Sequence, residues 1–564
     1  MVSRWQKCIG ERLIPYLYIM KSPKPFTRSG QIVDILNRRI YPGTVHVENS
    51  RISRITESDV DERHYIIPGF IDAHIHIESS MLIPSEFARL AVPHGTVATV
   101  SDPHEIANVM GVEGVKFMIE NGKKVPFKFY FGAPSCVPAT PFETAGARLG
   151  PEEIDMLLGR EDIRYLSEMM NFPGVLNHDP EVMEKLAMAL KHNKPVDGHA
   201  PGLLGDEAAR YIRAGISTDH ECFTLEEALD KAVNGMYVQI REGSAAKNFD
   251  ELILMFDKYP ERVMFCSDDR HPNDLAAGHI NDHVKRAVKA GFDPMTVLRA
   301  CTLHPVQHYG LDVGLLQPGD PADFIIVDSL KRFNVRETFI NGIRVAENGA
   351  SLIRSVREKP INKFNASPVK PEDIRVPATG KNISVIRALD GQLVTEALDE
   401  QAMVEDGFVV PGIEKDILKL VVCNRYKKAK PAVAFINHFG FKRGAIASTV
   451  AHDSHNIIAV GTGDEAICRA INLLVEQKGG ISLVDGSMEK VLPLPVAGLM
   501  SNRDGYEVAA AYDSLDRKAK KLGSSLRAPY MTLSFMALLV IPHIKLSDKG
   551  LFDGKKFEFV PLVH

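Results

Sequence analysis

The sequence has no apolar run long enough to cross a membrane. Its longest strongly apolar stretch, residues 535–542, is far shorter than the about 20 residues that a transmembrane helix needs. The segment 13–20 is too short, and too interrupted by Pro15, to form the core of a signal peptide. We therefore expect no membrane partner.

Cysteine is also sparse. The chain has seven cysteines, an odd number, and no C-x-x-C pair. This usage favours a reduced compartment over a disulfide scaffold, so we expect a cytoplasmic protein. The seven are Cys8, Cys136, Cys222, Cys266, Cys301, Cys423 and Cys468.

Basic residues are not in excess. Lys and Arg total 67 against 72 Asp and Glu, which gives a formal net charge of -5. The chain therefore lacks the excess of positive charge that binds nucleic-acid phosphates, and we expect no nucleic-acid partner. Hydrophobic residues make up 45% and charged residues 25%, and these proportions exclude a mainly disordered chain.

The chain of 564 residues is too long for one hydrophobic core. The pattern of apolar and polar residues also changes along it. Strand-and-turn patterns occupy residues 31–67 and 320–348, and they predict that the flanks 1–67 and 312–365 together build a small β-sandwich. Within the second flank, Asn341-Gly342 predicts a tight hairpin. Residues 366–564 mix strands with helices and predict a C-terminal α+β domain.

The central region, residues 68–311, alternates short apolar runs with amphipathic stretches. Such alternation is typical of a parallel sheet covered by helices. With the run before Asp72, eight strands fit into about 240 residues, close to the size of a (β/α)8 barrel. The predicted fold class is therefore α/β.

The first strand of this region ends in an H-x-H motif. Because alternate side chains of a strand share one face, Asp72, His74 and His76 point the same way. Two imidazoles on one face at a strand end are able to chelate a divalent metal ion. Two hydrogen-bonded histidines in a half-buried strand are the alternative.

Most later strands also end in side chains that bind metals or titrate, and only the third, near Cys136, does not. The carboxyl ends of parallel strands meet at one face of a barrel, where active sites lie. We therefore predict one pocket at that face. The side chains at these ends are Asp102 and His104, Glu168, His199, His220, Arg241 and Glu242, and Asp268 and Asp269.

Several segments resemble the amidohydrolase superfamily and, within it, the adenine deaminases. The resemblance extends over nearly the whole chain after the first 30 residues. The segments are PGFIDAHIHIESSM (68–81), SDPHEIANVMG (101–111), PATPFETAG (138–146), DGHAPGL (197–203), DHEC (219–222), IREGSAA (240–246), SDDRHPNDL (267–275), AHDSHNI (451–457) and SLRAPYMTLSFMALLVIP (525–542).

This resemblance implies a site for two divalent metal ions. It favours Mn or Fe, with Zn as a third choice, whereas the ligand types alone suit the three metals equally. The fourth strand lacks the carboxylated Lys that bridges the ions in many relatives, and a Glu is implied there instead. The implied ligands are His74, His76 and Asp268 for one ion, His199 and His220 for the other, and Glu168 between them.

Some neighbouring roles stay open. Adjacent residues of an extended chain point opposite ways, so either Asp268 or Asp269 is the ligand, and the resemblance favours Asp268. Asp102 and His104 hold an extra metal, support the ligands or cap a loop.

The implied reaction is the hydrolysis of adenine to hypoxanthine and ammonia. Asp268 would take the proton of the attacking water, and Glu242 would transfer the proton at N1 of the ring. The residues predicted to bind the base are Arg241, Glu242, Gly243 and Ser244, with a surface Arg–Glu ion pair as the alternative.

The last region carries a further polar cluster, His452, Asp453 and His455. The resemblance implies that this loop reaches the mouth of the barrel, and a capped turn is the alternative. Two other functions stay open: a cyclic-amide hydrolase, disfavoured because strand four lacks Lys, and a metal-binding protein without turnover. We also expect a homo-oligomer.

Overall fold

The computed structural model describes residues 24–564, so Cys8 and the segment 13–20 lie outside the described residues. It contains the eight consecutive parallel strands that the alternation predicts. Most are buried along their whole length, as expected for strands covered on both faces. The barrel strands, numbered one to eight in chain order, are Phe70–Ile75, Thr96–Ser101, Lys128–Ala133, Ile163–Met169, Val196–Gly198, Thr218–Asp219, Tyr237–Arg241 and Val263–Cys266.

These strands pair as a sheet of five followed by a sheet of three. Single parallel bridges join the two sheets, one between Val196 and Ile216 and the other between Ile75 and Asp268. The second bridge brings the end of strand eight back to strand one. All eight carboxyl ends therefore face the same side, in agreement with the predicted (β/α)8 barrel.

Helices fill the connections between the barrel strands. Their starts follow local capping rules: the side chain of Asp179 accepts a hydrogen bond from the Val182 amide, and Pro180 occupies the first turn. The barrel helices are Pro84–Ala91, His104–Met110, Val112–Gly122, Pro151–Leu158, Phe172–Leu176, Pro180–Lys191, Gly205–Arg213, Leu225–Val233, Phe249–Leu252, Met255–Lys258, Pro272–Ala277, Ile280–Lys289, Pro294–Ala300 and Leu303–Tyr309.

Strands from both flanks of the barrel combine, as predicted, and they hydrogen-bond as one sheet of eight. Its central strand, Tyr65–Pro68, pairs with Phe26–Asp34 on one side and Phe324–Val327 on the other. One face of the sheet carries its own core, in which Phe324 stacks on Phe339. The other strands are Arg39–Glu48, Arg51–Glu57, Val335–Ile340, Ile343–Glu347 and Ala350–Ser351.

The C-terminal region is α+β, as predicted. A sheet of eight strands forms its centre, and two three-stranded sheets lie beside it. Its helices are Asp464–Gln477, Gly505–Lys521 and Pro529–Phe535. The strands of the large sheet are Asn382–Ala388, Thr395–Gln401, Ile417–Cys423, Ala432–Asn437, Ala445–Ser448, Ile457–Gly461, Gly480–Asp485 and Met488–Pro493. The strands of the small sheets are Val376–Pro377, Val404–Glu405 and Phe408–Val409, and Ile544–Ser547, Gly550–Asp553 and Glu558–Phe559.

The C-terminal region packs directly on the barrel. The buried carboxylate of Glu86 accepts a hydrogen bond from the Gly505 amide at 2.9 Å, and Arg89 lies 2.7 Å from Asp504. Within residues 24–564, every helix is too short or too polar to span a membrane.

Candidate active site

Six side chains meet at the carboxyl face of the barrel, and all six are buried. His74 and His76, at the end of strand one, have their Nε2 atoms 3.2 Å apart. Asp268, after strand eight, places Oδ1 3.3 Å from the Nε2 atom of His76 and 3.8 Å from that of His74. We call the full set the ligand cluster: His74, His76, Glu168, His199, His220 and Asp268.

Glu168, at the end of strand four, lies in the middle of this cluster. Its Oε2 atom is 3.0 Å from His199 Nδ1 and 3.0 Å from His220 Nε2. Its Oε1 atom is 3.5 Å from His76 Nε2. One carboxylate therefore faces histidines from strands one, five and six.

The donor set fits divalent metal ions. The facing atoms are imidazole nitrogens and carboxylate oxygens, and their separations of 3.0 to 3.8 Å match ligands that each lie about 2.1 Å from a shared ion. Without an ion, the Nε2 atoms of His74 and His76 face each other and only one proton fits between them. No thiolate contributes among the described residues of this cluster, which suits harder metals as well as zinc.

Both carboxylates of the cluster are held ionised. Burial by itself raises the pKa of Glu168, but His199 and His220 outweigh it and hold that pKa well below its ordinary value. Burial also opposes ionisation of Asp268, and the Arg241 guanidinium outweighs it, so the pKa of Asp268 is well below its usual range. Ionised carboxylates are the form that binds a metal ion.

Arg241 does not line the cavity, although we predicted that it binds the base. Its Nη1 atom lies 2.8 Å from Asp268 Oδ2, and its Nη2 atom lies 2.9 Å from Glu221 Oε2. A guanidinium engaged in this way has both arms occupied. Arg241 therefore supports two carboxylates of the site from behind.

Asp268 and Asp269 do not point opposite ways, contrary to our prediction. The strand ends at Cys266, and Asp268 has a φ of 52°, so the alternation of an extended chain is already lost there. Both carboxylates line the cavity. Asp268 is the one beside the H-x-H histidines, whereas Asp269 accepts a hydrogen bond from the Ser79 hydroxyl.

Asp102 and His104 lie at the edge of the ligand cluster. Nδ1 of His104 is 3.0 Å from Asp102 Oδ2 and 3.3 Å from Glu168 Oε1. The other ring nitrogen of His104 is buried and has no hydrogen-bond partner among residues 24–564. His104 thus contacts Glu168, and Asp102 and His104 together with His76 and Glu168 also form a group that could hold a metal ion, so the extra metal site stays a prediction.

Glu242, Gly243 and Ser244 are not brought to the cavity. The carboxylate of Glu242 lies 2.7 Å from Arg286 and 3.2 Å from Lys247. Strand seven places the Arg241 side chain inward, so the next residue faces outward. The Ser244 hydroxyl instead accepts a hydrogen bond from the His271 amide. The structure thus argues against the catalytic role that the sequence suggested for Glu242.

Two acidic residues that we did not single out line the cavity, Glu221 and Glu105. Glu221 Oε1 is 3.7 Å from both His199 Nδ1 and His220 Nε2. Each acid directly follows a predicted histidine, His220 or His104, so strand alternation would point it away. The strands have already ended at these positions. The signal was their place inside the segments DHEC and SDPHE.

The C-terminal region closes the cavity. The loop at residues 451–456, here called the 452 loop, places His452 and Asp453 in the wall, as the resemblance implied. His452 and His455 both hydrogen-bond to Glu105 on the barrel. An apolar wall from the same region, which the sequence did not predict, consists of Leu393, Phe535 and Leu538.

Two protein-family models match the chain. Residues 65–345 match the amidohydrolase family, and residues 392–558 match the adenine deaminase C-terminal domain. An adenine deaminase of Salinibacter ruber is 56% identical over 95% of this chain and 99% of its own length. One from Sulfurovum sp. is 56% identical over 94% and 98%, and one from Methanosarcina barkeri is 54% identical over 95% and 99%. The chain therefore belongs to the adenine deaminase family of the amidohydrolases.

Proposed function

We propose that this protein is a metal-dependent hydrolase that converts adenine and water into hypoxanthine and ammonia. The observation that carries the proposal is the buried ligand cluster at the carboxyl face of the barrel, in a chain of this family. Residues of both the barrel and the C-terminal region line the cavity beside it.

Two divalent ions are proposed for the cluster. His74, His76 and Asp268 would hold one ion, and His199 and His220 the other, with Glu168 shared between them. When bound, such ions lower the pKa of a water molecule so that hydroxide is available at neutral pH. We propose Mn or Fe for this role, with Zn as a third choice.

The remaining chemistry belongs to the side chains of this chain. Asp268 is placed to take a proton from the attacking water, because Arg241 holds its other oxygen and keeps it ionised. Leu393, Phe535 and Leu538 form an apolar part of the cavity wall. A base packed against this wall would displace water from beside these charges and strengthen their interaction with the developing charge on the base.

Two other readings remain testable against this one. A cyclic-amide hydrolase is disfavoured because Glu168 occupies the place of the bridging Lys. A metal-binding protein without turnover would bind the ions and release no ammonia. We also propose a cytoplasmic location, in line with the absence of a C-x-x-C pair, and no nucleic-acid partner, in line with the charge balance. A homo-oligomer stays a prediction.

The test is an ammonia-release assay with purines and pyrimidines. The protein would be stripped of metal and reconstituted with Mn, Fe or Zn in parallel. We expect ammonia and hypoxanthine from adenine, in proportion to bound metal. Opening of a dihydropyrimidine ring without ammonia would favour the cyclic-amide reading, and tight metal binding with no turnover of any base would favour the third.

A further inference from the structure

Two imidazoles in the cavity wall, His104 and His452, lie outside the ligand cluster. His452 comes from the C-terminal region, is 3% exposed, and lines the same cavity as the ligand cluster. Its ring packs against Phe535, with the ring centroids 5.1 Å apart. The barrel and the C-terminal region therefore contribute different histidines to one pocket.

Glu105 fixes the orientation of this ring. Nδ1 of His452 hydrogen-bonds to one carboxylate oxygen of Glu105, and Nε2 of His455 hydrogen-bonds to the other. A carboxylate on Nδ1 holds an imidazole in one orientation and directs its Nε2 atom away. This is the arrangement in which a histidine takes or gives a proton at Nε2.

That Nε2 atom has no hydrogen-bond partner among residues 24–564. Its neighbour Asp269 has Oδ1 at 3.9 Å, which is beyond hydrogen-bond distance. Among the other ionisable groups of the wall, Arg241 binds the carboxylates of Glu221 and Asp268, whereas His104 and Asp453 each have one buried atom without a hydrogen-bond partner among residues 24–564. His452 thus presents a free, oriented ring nitrogen to the cavity.

We propose that His452, oriented by Glu105, is the catalytic acid–base residue that transfers the proton at ring N1 of the base. This assignment rests on the proposed function and replaces Glu242 in that role. It also gives the C-terminal region a chemical part in the reaction, beyond that of a cover.

The protons balance with two residues. Water loses a proton to Asp268 as its oxygen bonds to C6, and His452 gives a proton to N1 as the C6–N1 double bond opens. Asp268 then gives its proton to the amino group, the C6–N bond breaks, and ammonia leaves. The hydroxyl proton returns to His452 as the C6 carbonyl forms, so both residues are regenerated.

The charges around His452 suit this direction of transfer. Burial lowers the pKa of its imidazole, but Glu105 and Asp269 outweigh burial and raise that pKa to about 9. The ring is therefore a cation at neutral pH and has a proton to give. His455, which shares Glu105, has a pKa below its ordinary value because burial prevails there.

The experiment compares two matched variants of the full-length, Mn-loaded protein, His452→Gln and His455→Gln. In both, the new amide is still able to donate a hydrogen bond to Glu105, but only position 452 faces the cavity. We expect His452→Gln to lower kcat for adenine by about 10²–10⁴-fold. We expect His455→Gln to lower it by less than about tenfold, since it removes no proton-transfer group.

Metal content and Tm are measured for each variant. If His452→Gln keeps its metal and retains kcat within about threefold of wild type, the assignment is overturned, since a positioned acid contributes more than that. Equal losses in the two variants also overturn it. If wild-type protein releases no ammonia from adenine, the proposed function itself has failed, which is a distinct result.

A second variant covers the case in which His452→Gln fails to fold or to bind metal. Glu105→Gln keeps an acceptor for the imidazole but removes the charge that holds its proton. We expect kcat to fall by at least about tenfold with KM changed by less than about threefold, because the base still binds. An unchanged kcat in a variant that retains its metal would refute the role of the Glu105–His452 pair.

Discussion

Arg241 Nη1 lies 2.8 Å from Asp268 Oδ2, and this buried ion pair ties strand seven to the carboxylate that follows strand eight. The same guanidinium also binds Glu221. Removing one partner of a buried ion pair leaves an uncompensated charge, which costs about 3–5 kcal/mol. Arg241 is therefore a point where stability and the geometry of the site depend on one side chain.

We expect Arg241→Met to lower the free energy of unfolding by about 3–5 kcal/mol in urea titrations. Arg38→Met is the control, because Arg38 pairs with Asp293 at an exposed position and such pairs contribute about 0–1 kcal/mol. Similar decreases in the free energy of unfolding of the two variants would contradict the proposed contribution of Arg241 to stability.

Metal stoichiometry tests the role of Glu168. Elemental analysis of protein produced in Mn-supplemented medium should give about two ions per chain, because six ligands exceed what one tetrahedral ion needs. Glu168→Gln should lower that number and cost far more activity than thermal stability. A wild-type value that stays near one under saturating metal would be incompatible with a binuclear site.

Replacing Glu242 should have little effect on activity, in contrast to Glu168. Because its carboxylate pairs with Arg286 and Lys247 outside the cavity, Glu242→Gln should change kcat/KM for adenine by less than about threefold. Steady-state kinetics on the metal-loaded variant measure this. A loss of two decades with intact metal content would restore the role that the sequence alone suggested for this residue.

The free base should be preferred over its nucleoside. A buried polar group left unpaired costs about 1–3 kcal/mol. For a base with a different ring edge, kcat/KM should therefore fall by about 10- to 100-fold for each hydrogen bond that is lost. A ribose on N9 would add bulk to the base in a cavity whose wall includes Leu393, Phe535 and Leu538. The measurement is kcat/KM for adenine, adenosine, guanine and cytosine. An adenosine value equal to or above that of adenine would exclude a free-base enzyme.

Lys545 gives a prediction about pH. It is fully buried and donates hydrogen bonds to the carbonyl oxygens of Leu393 and Phe535, two residues of the apolar wall. Burial lowers the pKa of its ammonium group to about 7, against about 10.4 in an unfolded chain. Between those values the unfolded chain binds one more proton, so this group makes the folded state more stable as pH rises from about 7 to 10.

Replacing Lys545 by Met removes that dependence. The free energy of unfolding of wild type, relative to Lys545→Met, should rise by up to about 1.4 kcal/mol per pH unit across this window and level off below pH 7. Urea titrations at several pH values measure the slope, with the exposed Lys549→Met as control. Parallel curves for wild type and Lys545→Met would show that the ammonium stays charged in the fold.

The sequence predicts the architecture well because barrel strands are apolar runs with regular spacing. Such runs mark where each strand ends, and the ends carry His74, His76, Glu168, His199 and His220, which the structure brings together. Those predictions use only the rule that parallel strands share one face at their carboxyl ends.

What the sequence could not give is the direction of side chains just beyond a strand. Neighbouring side chains of a strand point to opposite faces. This alternation is lost at Asp268, where the backbone has a positive φ. It still holds at Glu242, directly after strand seven, and turns that side chain away from the cavity. The pairing of Glu105 with His452 spans nearly 350 positions of the chain. No local pattern encodes a contact between regions so far apart.

The sheet shared by the two flanks has a consequence for biosynthesis. Tyr65–Pro68 leaves the ribosome about 250 residues before Phe324–Val327, its partner along one edge. At bacterial or eukaryotic elongation rates this delay is roughly ten to fifty seconds. An apolar strand edge stays open for all of that time, and open edges pair with other chains. The sheet of the two flanks is therefore completed only after all eight barrel strands have been made.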